Sequence, residues 1–189
     1  STAGDSNSGA VSGPESGNWI TPLIMNKEGE LYAGYSRLYK LEGNSFSIVS
    51  SSFSNLIDGI EIDPINSDNM YVFVDDKLHK SVNRGVSFVQ AYDFPSDITS
   101  VAVNSTDPNI IYVTTSGSFG GIYKSTNAGT SFTDISYNLP NEPKLVVKHQ
   151  GQHSLNPIFV GTILGVYRLD DSVNEWAVFG NNLPNVPVR

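Results

Sequence analysis

The chain has 189 residues and carries 19 Asp and Glu against 11 Lys and Arg, which gives a net charge of −8. This acidic balance excludes a nucleic-acid or anionic-membrane partner, because both require a basic face. The sequence has no cysteine, so it holds no disulfide, thiol nucleophile or cysteine-ligated metal. No apolar run approaches the roughly 20 residues that span a bilayer, and we expect no membrane insertion.

In chain order, residues 1–18 come first; they are almost entirely polar and are predicted to form a linker or a loop. Four units of roughly 40 residues follow, at about 19–54, 55–95, 96–140 and 141–184. The second and third units align best, because Ser81–Phe88 matches Ser125–Phe132 at a spacing of 44 residues. Residues 185–189 are predicted to begin a further unit that is missing here.

Each unit contains four short segments rich in β-branched and aromatic residues, separated by turn signals about ten residues apart. In the third unit we predict strands at 98–104, 110–115, 121–125 and 132–135. No segment keeps a helical period for three turns. Four-stranded units at this spacing predict an all-β β-propeller with four blades of four antiparallel strands, part of a larger ring. A β-sandwich is the alternative.

A repeated turn, which we call the box turn, precedes the last strand of the second and third units. Its pattern is Ser-x-Asn-x-Gly-x-Ser-Phe, with Ser81, Asn83, Gly85, Ser87 and Phe88 in one copy and Ser125, Asn127, Gly129, Ser131 and Phe132 in the other. The Asn side chain can accept hydrogen bonds from its own turn, and the Gly can adopt a positive φ. We expect the Phe ring to lie between sheets and assign these residues a structural role.

The box turn resembles the Asp-box, or BNR, repeat, whose usual form is Ser/Thr-x-Asp-x-Gly-x-Ser/Thr-Trp/Phe. Both good copies have Asn in place of Asp. The first unit keeps only Gly43–Phe46, and the fourth keeps Asp171 and Trp176 but has Val173 in place of Gly. This repeat is a mark of fold and not of function, since it supports the rim of the propeller.

The chain is similar to repeat propellers of the sialidase, xyloglucanase and sortilin type. Residues 19–23 and the repeated Asn-Leu-Pro-Asn at 138–141 and 182–185 are similar to large secreted or surface proteins of Bacteroidetes. The resemblance covers about residues 18–189 and implies an extracellular or cell-surface location.

The resemblance implies a ring with more than four blades, and open propeller edges expose unpaired strands and an apolar sheet face. Three interpretations stay open. The chain is a piece of a longer polypeptide, a half-propeller completed by another chain, or a small four-bladed ring. In the first two, the partners are other blades from the same parent chain or from a second chain.

Catalytic residues are sparse. Sialidases bind a substrate carboxylate through three arginines, whereas this chain has only Arg37, Arg84, Arg168 and Arg189. Glycoside hydrolysis requires two carboxylates across a cleft. Asp58 is the best-placed acid, near the first strand of the second unit, and Glu61 and Asp63 follow it. Solvent-exposed acids at strand ends are the simpler interpretation.

Binding candidates come from exposed turns. Tyr35 and Phe119 lie near Gly-containing turns and are predicted ligand contacts. His149 and His153 lack a third ligand for zinc. Asp68, Asp75–Asp76 and Asp170–Asp171 could offer oxygen ligands to Ca²⁺, but their spacing matches no known loop, so we expect no cofactor and no metal site.

The sequence therefore favours a non-catalytic extracellular or cell-surface propeller module, a scaffold or adhesive surface for a protein or glycan ligand. Two alternatives remain. One is part of a carbohydrate-active glycoside hydrolase, whose other blades supply the rest of the site. The other is a structural subunit of a larger surface or secretion assembly.

Overall fold

The computed structural model describes residues 13–180, and these fold into sixteen strands with no helix among them. The first sheet contains β1 Leu23–Met25, β2 Leu31–Gly34, β3 Leu38–Glu42 and β4 Ser45–Ile48. The second contains β5 Gly59–Ile62, β6 Met70–Val74, β7 Lys77–Ser81 and β8 Val89–Asp93. The third contains β9 Ile98–Val103, β10 Ile111–Thr115, β11 Ile122–Ser125 and β12 Thr133–Asp134. The fourth contains β13 Lys144–His149, β14 Ile158–Thr162, β15 Val166–Leu169 and β16 Ala177–Phe179.

Each sheet is an antiparallel meander in which consecutive strands pair with each other. The first strands of successive sheets, β1, β5, β9 and β13, lie next to one another. They therefore line the inside of the array, while β4, β8, β12 and β16 form its outer edge. Four sheets stacked in this way are blades of a β-propeller, as the sequence predicted, and the strands of the third sheet agree with the predicted ones to within two residues at each end.

The core lies between neighbouring sheets. Tyr32, Tyr71 and Tyr112 occupy the equivalent position on the second strand of the first three sheets, and each is at most 2% exposed. Tyr32 packs with Met70 of the next sheet, and Tyr112 packs in the cluster that joins the third sheet to the fourth. These tyrosines are intersheet packing residues, as their alignment in the sequence predicted.

The two ends of the sheets differ. The turns between second and third strands and the connections between sheets lie at one end, which we call the loop end. The turns between first and second strands and between third and fourth strands lie at the other, the box end. The box turns therefore lie at the opposite end of the strands from the long connections between sheets.

The outer face of the first sheet is apolar. Leu23, Ala33, Tyr39 and Ile48 lie directly opposite one another across its four strands. Leu23 and Ile48 are 60% and 61% exposed, and nearby Met25 is 61% exposed. Ala33 and Tyr39, on the two central strands, are buried, so this face exposes apolar side chains at its edge strands. No helix in residues 13–180 has the length and apolar character to cross a membrane.

Candidate functional site

The box turn of the second sheet is held by its own side chains. The Ser81 hydroxyl accepts hydrogen bonds from the Asn83 and Gly85 amides, at 3.2 and 2.9 Å, and donates to Asn83 Oδ1. Asn83 Oδ1 also accepts from the Ser87 amide at 3.0 Å, and Asn83 Nδ2 donates to the Ser87 hydroxyl at 2.9 Å. Arg84 and Gly85 have φ of 56° and 80°, so both central residues are left-handed.

The third sheet repeats this arrangement. Ser125, Asn127 and Ser131 make the same five hydrogen bonds, at 2.9 to 3.2 Å. Ala128 and Gly129 have φ of 55° and 86°. The two box turns therefore have one local design, in which the Asn and the first Ser together satisfy the backbone amides of a tight turn.

Each box turn also packs on the preceding sheet. A Cβ on Gly85 would lie 2.3 Å from Leu38 Cδ2 of the first sheet, and one on Gly129 would lie 3.6 Å from the Tyr71 ring of the second. Phe88 packs on the cluster shared by the first and second sheets, and Phe132 on the cluster shared by the second and third. The glycines thus permit close approach between sheets.

The first and fourth sheets depart from the pattern. The turn of the first sheet contains only Gly43 and Asn44 between its paired strands. In the fourth, the carboxylate of Asp170 accepts hydrogen bonds from the Ser172 hydroxyl and, at 3.0 Å, from the Ser172 amide. Trp176 occupies the position of the box Phe; it is 3% exposed, and its indole N–H donates to the Ile135 carbonyl at 2.8 Å.

Asp58 lies at the loop end, just before β5, as the sequence indicated. One of its carboxylate oxygens accepts the Asp75 amide at 2.8 Å, and the other accepts the Asn18 side chain at 3.1 Å. Desolvation by the surrounding loops raises the pKa of Asp58, the Asp75 hydrogen bond lowers it, and the charges of Asp75 and Asp97 raise it further. Asp58 is therefore a turn-capping carboxylate in an acidic patch.

Glu61 lies on the inner strand β5 and faces β9, where its Oε1 accepts the Val103 amide at 3.4 Å. Burial raises its pKa to about 7, and the charge of Lys148 opposes that rise. Asp63, two residues on, is 1% exposed and accepts the Ile65 and Asn66 amides at 2.8 and 3.1 Å. Asp63 therefore organises the turn that follows β5.

Tyr35 is not a free ligand contact, contrary to the sequence-based expectation. It is 8% exposed and meets Tyr39 edge to face, with ring centroids 5.6 Å apart. The segment before β1 covers its ring, because a Cβ on Gly13 would lie 2.5 Å from the Tyr35 hydroxyl oxygen. This polar segment is distant from Tyr35 in the chain, so local sequence gave no sign of the contact.

Phe119 stands in the turn between β10 and β11 and is 84% exposed. Trp19 lies in the segment that leads into β1, also at the loop end, and is fully exposed. Ile163 and Leu164, in the turn between β14 and β15, are exposed as well. Sequence reasoning did not single out Trp19 as an exposed aromatic residue, although its position next to a polar segment, outside any strand pattern, was a signal for it.

The candidate metal ligands do not converge. Within residues 13–180, no group of three or more His, Asp or Glu side chains is arranged to hold a metal ion. His149 stacks on Tyr112, with ring centroids 6.4 Å apart, and lies 3.3 Å from the Ser105 amide. The weaker hypothesis of a Ca²⁺ site stays a hypothesis.

No protein-family model matches this sequence, and comparison with curated proteins finds no match. Solved structures do match. An ancestral GH74 enzyme is 19% identical with a TM-score of 0.72, over 90% of this chain and 25% of its own. The GH74 xyloglucanase from Xanthomonas campestris is 16% identical with a TM-score of 0.71, over 88% and 31%.

A third match is the extracellular domain of a protein from B. thetaiotaomicron described as a hybrid two-component system. It is 20% identical with a TM-score of 0.70, over 92% of this chain and 23% of its own. At such identities the similarity establishes the fold, and the chain is a β-propeller module similar to those of GH74 enzymes and Bacteroides extracellular domains. It spans between 23% and 31% of the length of these three proteins.

Proposed function

We propose that this chain is a non-catalytic β-propeller module whose loop end binds a protein or glycan partner. The observation that carries the proposal is the exposure of Trp19 and Phe119 on turns at that end. Exposed aromatic rings on turns held by a rigid scaffold are typical of binding surfaces, because they offer a large contact area at low entropic cost. The acidic side chains Asp58, Asp75 and Asp97 lie at the same end and favour a neutral or basic partner.

We also propose that the module is an Asp-box propeller of an extracellular or cell-surface protein. Two observations support this: the two box turns have the hydrogen bonding expected of such a repeat, and the matched Bacteroides structures are extracellular domains. Asn in place of Asp keeps the acceptor oxygen that the Ser87 and Ser131 amides require. No resident cofactor is part of the proposal.

Other propeller blades are the proposed structural partners. Leu23, Met25 and Ile48 expose the two edge strands of this apolar face, which no further sheet covers within residues 13–180, while Ala33 and Tyr39 between them are buried. Blades from the same parent chain, or from a second chain, would cover it as the second sheet covers the first. A structural subunit of a larger surface assembly would use the same face.

A second candidate is a glycoside hydrolase propeller, favoured by one observation. Asp58 has a raised pKa beside Asp75 and Asp97, as a general acid requires. Against it, both oxygens of the Asp58 carboxylate already accept hydrogen bonds from the protein, which fits a structural cap better than a proton donor.

The test measures binding at the loop end. Affinity electrophoresis against xyloglucan and a panel of cell-surface polysaccharides detects a glycan partner. A photo-reactive phenylalanine analogue at position 119 detects a protein partner by cross-linking in the cells that naturally make the protein. Trp19→Ala and Phe119→Ala should weaken binding at least tenfold, a loss of about 1.4 kcal/mol.

The matched control is Val82→Ala, which removes an exposed apolar side chain from a box turn. It should leave binding unchanged. Equal effects of loop-end and box-end substitutions would contradict the proposal, and so would the absence of both glycan retention and cross-links from position 119.

A further inference from the structure

The intact box turns fill a specific place between neighbouring sheets. At the junction of the second and third sheets, the left-handed residues Ala128 and Gly129 lie over Tyr71. Lys80 Nζ donates to the Ala128 carbonyl at 2.9 Å and lies 5.8 Å from the centre of the Tyr71 ring. The ammonium and the aromatic ring of the second sheet are therefore both covered by the box turn of the third.

The junction of the third and fourth sheets has the same lysine and tyrosine but no intact box turn. Lys124 Nζ lies 5.8 Å from the centre of the Tyr112 ring, in the same geometry. Val173 replaces the box Gly and has no left-handed backbone, so the turn does not fold down over Tyr112. Among residues 13–180, Lys124 Nζ makes no hydrogen bond, and its nearest acid oxygen, Asp171 Oδ1, is 3.8 Å away.

A cavity of about 230 Å³ lies beside Lys124, and the differently shaped turn of the fourth sheet forms part of its lining. Its lining includes Tyr112, Lys124, Tyr137, Asn156, Asp171 and Asn174. Asp171 is fixed in place, because its Oδ2 accepts the Asn156 side chain at 2.8 Å. Tyr137 and Asn156 have φ of 41° and 44°, so both of these lining residues adopt left-handed backbone.

We propose that this cavity binds a single neutral sugar ring of a glycan. The lining combines the exposed ring of Tyr137, which can contact the C–H face of a sugar, with an ammonium, a carboxylate and amides, which can bind its hydroxyl groups. The size of the cavity suits one ring and not a longer stretch of chain. Tyr137 is 53% exposed at its edge, so a larger glycan can continue into solvent.

Charge favours a neutral ligand. Arg168 Nη2 pairs with Asp170 Oδ2 at 2.7 Å, and Lys124 lies beside Asp171. Of the two carboxylates that line the cavity, Asp170 is neutralised by Arg168, which is not part of the lining, and Asp171 faces Lys124. An inorganic anion would meet the carboxylates of Asp170 and Asp171, and a cation would meet the ammonium of Lys124, whereas hydroxyl groups can use donors and acceptors together.

Apart from Tyr137, which lies in the connection between the third and fourth sheets, the polar residues of this site lie toward the box end, and the site does not rest on the function proposed for the loop end. Saturation-transfer NMR with methyl β-D-glucoside, methyl α-D-xyloside and methyl β-D-galactoside tests it directly. At least one glycoside should receive saturation from the protein. Lys124→Met and Asp171→Asn should each weaken the binding of that glycoside at least tenfold. Tyr137→Ala should abolish saturation transfer to the protons of the sugar ring.

Lys80→Met is the matched control, because Lys80 has the same position at a junction where the box turn fills the space. It should lower the melting temperature and leave glycoside binding unchanged, whereas Lys124→Met should leave the melting temperature unchanged. Trp19→Ala should also leave glycoside binding unchanged, which separates this site from the loop end. The proposal would be overturned if none of the three glycosides received saturation from the protein. It would also be overturned if both Lys124→Met and Asp171→Asn retained glycoside binding, or if inorganic phosphate competed with the glycoside.

Discussion

Lys80 in the second sheet donates a hydrogen bond to the carbonyl oxygen of Ala128 in the third, at 2.9 Å. The acceptor is available because Ala128 and Gly129 are held in a left-handed turn by Asn127. A repeated sequence motif thus acts between sheets as well as within one. Where the fourth sheet lacks the motif, the equivalent Lys124 Nζ has no hydrogen bond within residues 13–180, and a cavity lies beside it.

Removal of the Asn127 side chain should destabilise the fold. Asn127→Ala leaves the Ser131 amide without its acceptor and releases the Ser125 hydroxyl, so we expect the free energy of unfolding to fall by about 1–2 kcal/mol. Asn127→Asp keeps the acceptor oxygen and is the control, with a change below about 0.5 kcal/mol. Urea denaturation measures both; an equal loss in the two variants would contradict this role for Asn127.

The two box glycines should differ in their tolerance of a methyl group. Gly85→Ala would place Cβ 2.3 Å from the fully buried Leu38, and we expect it to cost about 2–4 kcal/mol. Gly129→Ala meets nothing closer than 3.6 Å, and only its positive φ opposes the substitution, at a cost of about 1–2 kcal/mol. Thermal melts of the pair measure the difference. Equal melting temperatures would argue against the close contact of Gly85 with the first sheet.

Much of this architecture could be predicted from the sequence, because the box turn recurs in register and its hydrogen bonds are local. The strands of the third unit could also be predicted, because the alternation of β-branched residues is a local signal. The burial of Tyr35 could not be predicted, since residues before β1 cover its ring through a contact between distant parts of the chain. The cavity beside Lys124 could not be predicted either, because it depends on how the third and fourth sheets pack where the turn of the fourth sheet has a different shape.

Glu30 should make the protein sensitive to acid. Its carboxylate accepts hydrogen bonds from Lys40 at 2.6 Å and Asn26 at 2.7 Å, and these lower its pKa from 4.5 to about 2. A carboxyl whose pKa is lowered on folding stabilises the folded state above its unfolded pKa, and this stability is lost as the pH falls from 4.5 to 2.

Glu30→Gln should therefore lower the free energy of unfolding by about 1–2 kcal/mol at pH 7 and by much less near pH 2. Chemical denaturation across this pH range is the measurement. Glu175→Gln, at an exposed position in the fourth sheet, is the control and should change little at either pH. A deficit of Glu30→Gln that stays constant down to pH 2 would contradict this account.

Glu61 should have the opposite pH dependence. Burial raises its pKa from 4.5 to about 7, so the folded state holds a proton that the unfolded state releases, and this contribution to stability is lost as the pH rises from 4.5 to 7. Glu61→Gln cannot ionise, and we expect it to be more stable than the wild type by about 1–2 kcal/mol at pH 8 and equal to it at pH 4. Denaturation at the two pH values measures this; a variant less stable at pH 8 would show that the ionised Glu61 is favourably paired.

The most direct test of a non-catalytic function is the release of oligosaccharides from xyloglucan, measured by mass spectrometry for the wild type and for Asp58→Asn in the full-length protein. We predict no release by the wild type above the Asp58→Asn background, because both oxygens of the Asp58 carboxylate are used as hydrogen-bond acceptors within the fold. Release by the wild type that Asp58→Asn abolishes would contradict this account and would support the glycoside hydrolase alternative.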